Sequence, residues 1–223
     1  MRICFVSRGK LAEFLKISET IDADLVLCGF QALDSVNFEK ELKGETRYFE
    51  QVAQLSHCMD AVVVCGCITD AKGFKRKSAV VAQKGRLLGV SDMLNAVDGE
   101  VSVGASLRVY ETKIGRFGVS VAEDLYFPEI VKSLAICGSD FILCPYGCVE
   151  SGVESVLIRA QAFCYGVPIF FCGIGYSAMA GVDGTLVSAS PTSPFVQEYQ
   201  GVKEYHLVET RRRGFYRPPK KEF

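Results

Sequence analysis

The stretch GRFGVSVAEDLYFPE, residues 115–129, decides how this chain folds. Phe117 to Val121 reads as a β-strand, the chain turns at Ala122-Glu123-Asp124, and a helix starts near Phe127-Pro128-Glu129. Pro128 falls in the first helical turn, where its missing N–H costs nothing, and Gly138 follows the end of FPEIVKSLAICG. A strand that turns into a helix leaves the turn residue at the strand's carboxyl end, where α/β folds build their binding crevices. The residue at the tip is Ala122. Its methyl group can serve neither as nucleophile nor as acid or base.

Outward from this stretch, strands and helices alternate. Toward the amino terminus, RICFV is a first strand, GKLAEFLKISETI has helical spacing with a polar step at Ser18, and ADLVLC is a continuously apolar strand, as a strand covered on both faces must be. ETRYFEQVAQLSHCM is a second helix, with Tyr48, Val52, Leu55 and Met59 on one side. DAVVVCGCIT, KSAVVAQ and RLLGVS then follow closely, as antiparallel hairpins do. Toward the carboxyl terminus, LRVYET precedes the opening stretch, and DFILCP, PIFFCGI, SAMAGV, TLVSAS and KEYHLVE are strands. VESVLIRAQAFCYG is a helix closed by Gly166, and Asp183-Gly184 is a tight turn. This order predicts an α/β sandwich with helices on more than one sheet face. Cys28-Gly29-Phe30, Ala122-Glu123 and Cys144-Pro145 fall at strand ends, so three distant segments converge on one crevice.

The totals agree with a single globular unit. The chain has 223 residues, 49% hydrophobic and 23% charged, with a formal net charge of −1. That balance excludes a disordered or fibrous chain and gives no global drive toward nucleic acid or membrane. Ten cysteines occur, most inside apolar runs such as AVVVCGCI and VPIFFCGIG. Free cysteine packs as a small hydrophobe, so these point to a reducing cytoplasm. No CxxC pair occurs, and neither His57 nor His206 has a histidine partner at helical spacing, so no metal site and no cofactor are expected. Residues 160–182 carry no formal charge, but Pro168, Gly166, Gly173, Gly175, Gly181 and Gln161 make them soluble core, not a membrane span. Residues 1–210 form the domain and 211–223 a basic tail, RRRGFYRPPKKEF. The tail is read as a solvated arm that packs on a partner subunit, ahead of a nucleic-acid contact, because the rest of the chain balances its charge.

Five blocks in register carry a resemblance. ADLVLCGFQAL, KSAVVAQKGRLLGV, TKIGRFGVSVAEDLYFPEIVKSLAICGSDFILCP, IRAQAFCYGVPIFFCGIGY and AGVDGTLVSAS resemble, in order and spacing, successive blocks of the nitrilase superfamily of carbon–nitrogen hydrolases, and VKEYHLVE fits after them. The likeness covers nearly the whole chain and is strongest from Gly115 to Pro145. It implies a four-layer αββα sandwich, assembly as a homodimer, and a Glu-Lys-Cys triad. In that triad the cysteine attacks an amide or nitrile carbon, the glutamate acts as base and the lysine holds developing negative charge.

Carried over position by position, the triad is absent. Where the resemblance puts glutamate stands Phe30, where it puts lysine stands Met93, and where it puts cysteine stands Ala122. Loss of a nucleophile costs on the order of 10⁶ in turnover in a triad hydrolase. The expected protein is therefore a non-catalytic member of this fold, kept for binding or assembly, with a small molecule as the ligand its crevice could admit. The alternative is a divergent amidase acting on a small amide or nitrile through another nucleophile such as Cys144. Cys28, Glu123 and Cys148 are its further pocket candidates, and Glu129 and Glu150 are carboxylates that could lie near. The apolar contexts FILCP and LVLCG favour inert buried thiols. Glu129 and Asp124 read as structural, and Arg159 as part of a solvated helix face.

Overall fold

The computed structural model describes residues 1–97, 99, 101–149 and 152–201. The expected strand KEYHLVE, the basic tail, His206 and Glu150 lie outside the described residues.

The first half builds one sheet. β1 (Arg2–Val6), β2 (Leu25–Cys28) and β4 (Val62–Ala71) run parallel, with β3 (Val36–Asn37) pairing the far end of β4. β5 (Phe74–Gln83) and β6 (Arg86–Asp92) return as antiparallel hairpins, as the close spacing of those runs predicts. α1 (Leu11–Leu15), α2 (Phe38–Lys43) and α3 (Tyr48–Cys58) belong to this half. α1 is shorter than its sequence pattern. The Ser18 hydroxyl donates to the Leu15 carbonyl at 2.9 Å and that of Thr20 to Ile17 at 2.7 Å, so the chain tightens into a 3-10 turn at Ser18–Thr20. α2 went unpredicted, although Asn37 caps its start by accepting from the Lys40 N–H and Gly44 ends it in the left-handed region.

The second half builds the other sheet. β7 (Val109–Thr112) and β8 (Gly115–Val119) form a hairpin, and a 3-10 turn (Ala122–Tyr126) leads into α4 (Pro128–Ile136). β9 (Phe141–Cys148), α5 (Val153–Tyr165) and β10 (Ile169–Ile174) continue, and β11 (Tyr176–Ala180) and β12 (Leu186–Ser190) close the sheet in the order β12-β11-β10-β9-β8-β7. β13 (Phe195–Glu198) crosses back and pairs antiparallel with β1, completing the first sheet as β13-β1-β2-β4-β5-β6.

Strand alternation sorts the side chains into three apolar layers. Ile3, Phe5, Leu25, Leu27, Val62, Val64, Ala79 and Val81 of one sheet meet Phe117, Val119, Phe141, Leu143 and Phe170 of the other. The outward residues Cys4, Val26, Val63 and Val80 lie with Leu11, Phe14, Val52 and Leu55 of α1 and α3. On the opposite outer face Ile142, Cys144 and Ile169 lie with Ile130, Leu134 and Ile158 of α4 and α5. The order is helix, sheet, sheet, helix, as expected. Rings of Tyr110, Phe117, Phe141 and Phe170 stack along the inner face of the second sheet, with centroids 5.4–5.6 Å apart.

Gly118 sets how closely α4 approaches. A Cβ built there would stand 2.8–2.9 Å from three atoms of the Leu134 side chain. Gly118→Ala is expected to lower unfolding stability by about 1–3 kcal/mol through overpacking, read as a lower urea midpoint with unchanged slope.

Candidate active site

β8 leads through Ser120 and Val121 to Ala122, and there the backbone adopts φ +51°. Asp60, Lys72 and Lys84, the other non-glycine residues with positive φ among the described residues, sit in turns. Ala122 instead joins a strand to a 3-10 turn. A non-glycine residue held there costs about 1–3 kcal/mol, and such strain clusters at sites that aim a side chain.

The turn is pinned by its own acid. Asp124 is buried, and its Oδ1 accepts from the Leu94 N–H at 3.0 Å, the Asn95 N–H at 2.9 Å and Asn95 Nδ2 at 3.0 Å; Oδ2 also lies 3.0 Å from the Leu94 nitrogen. Burial pushes this carboxyl above its ordinary range, the hydrogen bonds pull it back, and the charge of Glu123 adds to the rise. Asp124 is structural, as expected, but it ties the elbow to the segment after Met93 more than to its own turn.

Phe30, Met93 and Ala122 all belong to the layer between the sheets. Met93 and Ala122 are 1% exposed members of that cluster, and half-buried Phe30 packs against it. The Phe30 ring lies over Gly66, where an added Cβ would come within 2.5 Å of Cδ2. The Phe30 N–H donates to the Tyr146 carbonyl at 3.1 Å, joining the end of β2 to the opposite sheet. Among these three side chains there is no acid, no base and no charge.

A charged pair lies beside them. Lys77 Nζ donates to Glu123 Oε1 at 2.6 Å, with the two side chains 22% and 20% exposed. Glu123 was expected at the crevice; Lys77 was not. The signal was available: Ala79 and Val81 face inward, so alternation turns Lys77 inward too. The strand carrying it also holds Met93, whose N–H donates to the Lys77 carbonyl at 2.8 Å.

The cysteine candidates separate. Cys28 ends β2, but Cys144-Pro145 falls inside β9, which runs on to Cys148, so the strand end expected there lies four residues later; alternation points both sulfurs outward into the helix-facing layers. A hydrogen bond with Cys65 and burial raise the Cys28 thiol well above its ordinary range. Burial, then the charges of Asp124 and Glu123, raises that of Cys144. Thiols so placed are neutral and enclosed, which is the opposite of a reactive cysteine. Cys148, at the end of β9, is exposed. Glu129 is exposed in the first turn of α4, and exposed Arg159 donates through Nε to the Gly184 carbonyl at 2.8 Å. No group of three or more His, Cys, Asp or Glu side chains able to hold a metal ion occurs among the described residues. A cavity of about 390 Å³, lined in part by Gly181, Asp183, Thr185 and Tyr199, opens at the far end of the sheet: Ala180 lies opposite Ile169, where β10 begins.

The arrangement matches solved structures over most or all of the chain. Nit3 from Saccharomyces cerevisiae, a member of branch 10 of the nitrilase superfamily, superposes with a TM-score of 0.74 over 100% of this chain and 97% of its own, at 14% identity. A carbon–nitrogen hydrolase from Helicobacter pylori G27 gives 0.71 over 87% of this chain and 86% of its own, at 17% identity. An amidase from Nesterenkonia sp. gives 0.70 over 88% of each chain, at 16% identity. This chain has the nitrilase-superfamily fold. No protein-family profile matches the sequence, and no curated protein matches it. The shared feature is the fold, at 14–17% identity to these structures.

Burial predicts the pattern of thiol chemistry on this nitrilase fold. Cys58, Cys137, Cys148 and Cys164 are exposed, whereas Cys4, Cys28, Cys65, Cys67, Cys144 and Cys172 are buried, and burial pushes Cys4 and Cys67 up to about 12. Titration with an aromatic disulfide reagent at pH 8 is expected to modify four thiols quickly and the other six only in denaturant. Fast modification of Cys144, located by peptide mapping, would contradict this burial.

Proposed function

We propose that this protein is a non-catalytic relative of the carbon–nitrogen hydrolases, retained for binding or assembly. The observation that carries this reading is Ala122: a strained elbow at the carboxyl end of β8 presents a buried methyl group in the apolar layer that also holds Met93, with Phe30 packed against that layer. One form of the Nesterenkonia amidase is described as showing Michael addition of acrylamide at its active site cysteine. By resemblance, that function falls at Ala122 here. Cys144 offers no substitute, because its sulfur is buried on the wrong face of β9. The ion pair of Lys77 and Glu123 supplies one donor and one acceptor next to Ala122, a match for the two ends of a small amide bound without turnover. Ten free cysteines, six of them buried in apolar layers, suit a reducing cytoplasm.

The test is ammonia release from a panel of amides, nitriles and glutamine. The expected rate equals the buffer blank, and Ala122→Cys alone is expected to stay there, since neither Phe30 nor Met93 can supply the base or the free cation. Robust turnover by the unmodified protein, abolished by a thiol-blocking reagent, would establish the divergent amidase instead.

Assembly as a homodimer is part of the same reading. α5 carries Val153, Val156 and Phe163 at 44%, 63% and 47% exposure, and Leu186 and Val187 of the hairpin beside it are 39% and 46% exposed. An apolar face of this kind suits a self-complementary interface. Sedimentation equilibrium is expected to give twice the chain mass, and Val156→Asp to give the monomer.

A further inference from the structure

α5 buries a carboxylate in its first turn. Glu154 is 2% exposed. Its Oε1 lies 3.4 Å from the Tyr126 hydroxyl, which donates to it while accepting from the Tyr146 hydroxyl at 2.9 Å. Its Oε2 is buried and accepts no hydrogen bond among the described residues, and no ion pair to Glu154 is formed there either. A carboxylate oxygen removed from water without a donor is costly, most of all when the group is charged.

The neighbouring turn repeats the deficit. Glu123 Oε2 is likewise buried and without a donor, its other oxygen being held by Lys77. Both acids act on one phenol. Tyr146 is pushed far up, by burial first, then by its hydrogen bond with Tyr126, and then by the charges around it, which include Glu154 and Glu123. Tyr126 is 37% exposed, so the Tyr146–Tyr126–Glu154 chain reaches the surface.

The unmet carboxylate groups at this place are acceptors, and what would satisfy them is a small cation that brings donors. A hard metal ion demands six or more oxygen ligands, and the described residues contain no group of metal-ligating side chains. An N–H cation needs only two to four acceptors. We propose that Glu154, with Tyr126 and Tyr146, forms a binding site for ammonium or a primary alkylammonium ion. One N–H meets Glu154 Oε2, and the phenol oxygen of Tyr126 supplies a second acceptor. This site is independent of whether the fold hydrolyses anything, since it uses neither Ala122 nor Met93.

The experiment is thermal unfolding of the full chain in ammonium, methylammonium, sodium and tetramethylammonium chlorides at matched ionic strength. Ammonium and methylammonium are expected to raise Tm in a saturable way that sodium and tetramethylammonium do not reproduce. Glu154→Gln is expected to abolish the specific rise. Tyr126→Phe is expected to move the half-saturating concentration up about ten-fold, the scale of a lost hydrogen bond to a charged group. Equal shifts with all four salts, or an unchanged dose curve in either variant, would overturn the site. So would a Glu154→Gln protein more stable than the parent alongside a parent indifferent to ammonium, which would mark Glu154 as an ordinary buried acid. Should Glu154→Gln fail to fold, the Tyr126→Phe curve decides alone.

Discussion

Asp124 is buried where N–H groups of Leu94 and Asn95 converge on its carboxylate, and the geometry at the crevice end of this molecule depends on that contact. It spans the two sheets: the acid belongs to the turn after β8, the donors to the segment after β6. It ties the turn that holds Ala122 at positive φ to the segment that follows Met93. Removing a buried acceptor strands its donors at about 1–3 kcal/mol each, so the elbow and the neighbouring loop stand or fall together. The Phe30–Tyr146 backbone bond and the Lys77–Glu123 pair add two further ties between the sheets near that end.

Strain at Ala122 is the kind of cost a fold bears to aim a reactive side chain. Here the residue at positive φ carries a methyl, and Met93 and a phenyl ring that lies on Gly66 belong to the same apolar layer. Close packing rewards such a layer, because an apolar wall needs no donors or acceptors to be satisfied. The remaining charge, Lys77 with Glu123, neutralises itself. A pair so enclosed costs desolvation that its own attraction must offset, and losing one member would strand the other. The buried carboxylate oxygens without a donor among the described residues are Oε2 of Glu123 and Oε2 of Glu154.

One rule, the two-residue period of a strand, sorts much of the rest. It places Leu27 between the sheets and Cys28 against the helices, Leu143 between the sheets and Cys144 against α4 and α5. The same rule turns Lys77 inward beside Ala79 and Val81. Cys28 and Cys144 are therefore inert packing, and Lys77 comes within reach of Glu123. Applied residue by residue to DFILCP and KSAVVAQ, alternation alone would have separated them.

Alternation, helix punctuation and turn pairs are local, and they made the layered α/β class, most strands, the antiparallel run of β4 to β6 and the elbow at Ala122 legible in the chain. The short reach of α1 was also local in cause, a serine hydroxyl competing for a backbone carbonyl. β13 was not legible, because its partner is β1, nearly two hundred positions away, and nothing in its own four residues names that strand. The closure of Asp124 on Leu94 and Asn95, the ion pair of Lys77 with Glu123 and the buried oxygen of Glu154 were beyond reading for the same reason. Each is a relation between segments that meet only after both sheets have folded, and its energy comes from burial that no single segment possesses.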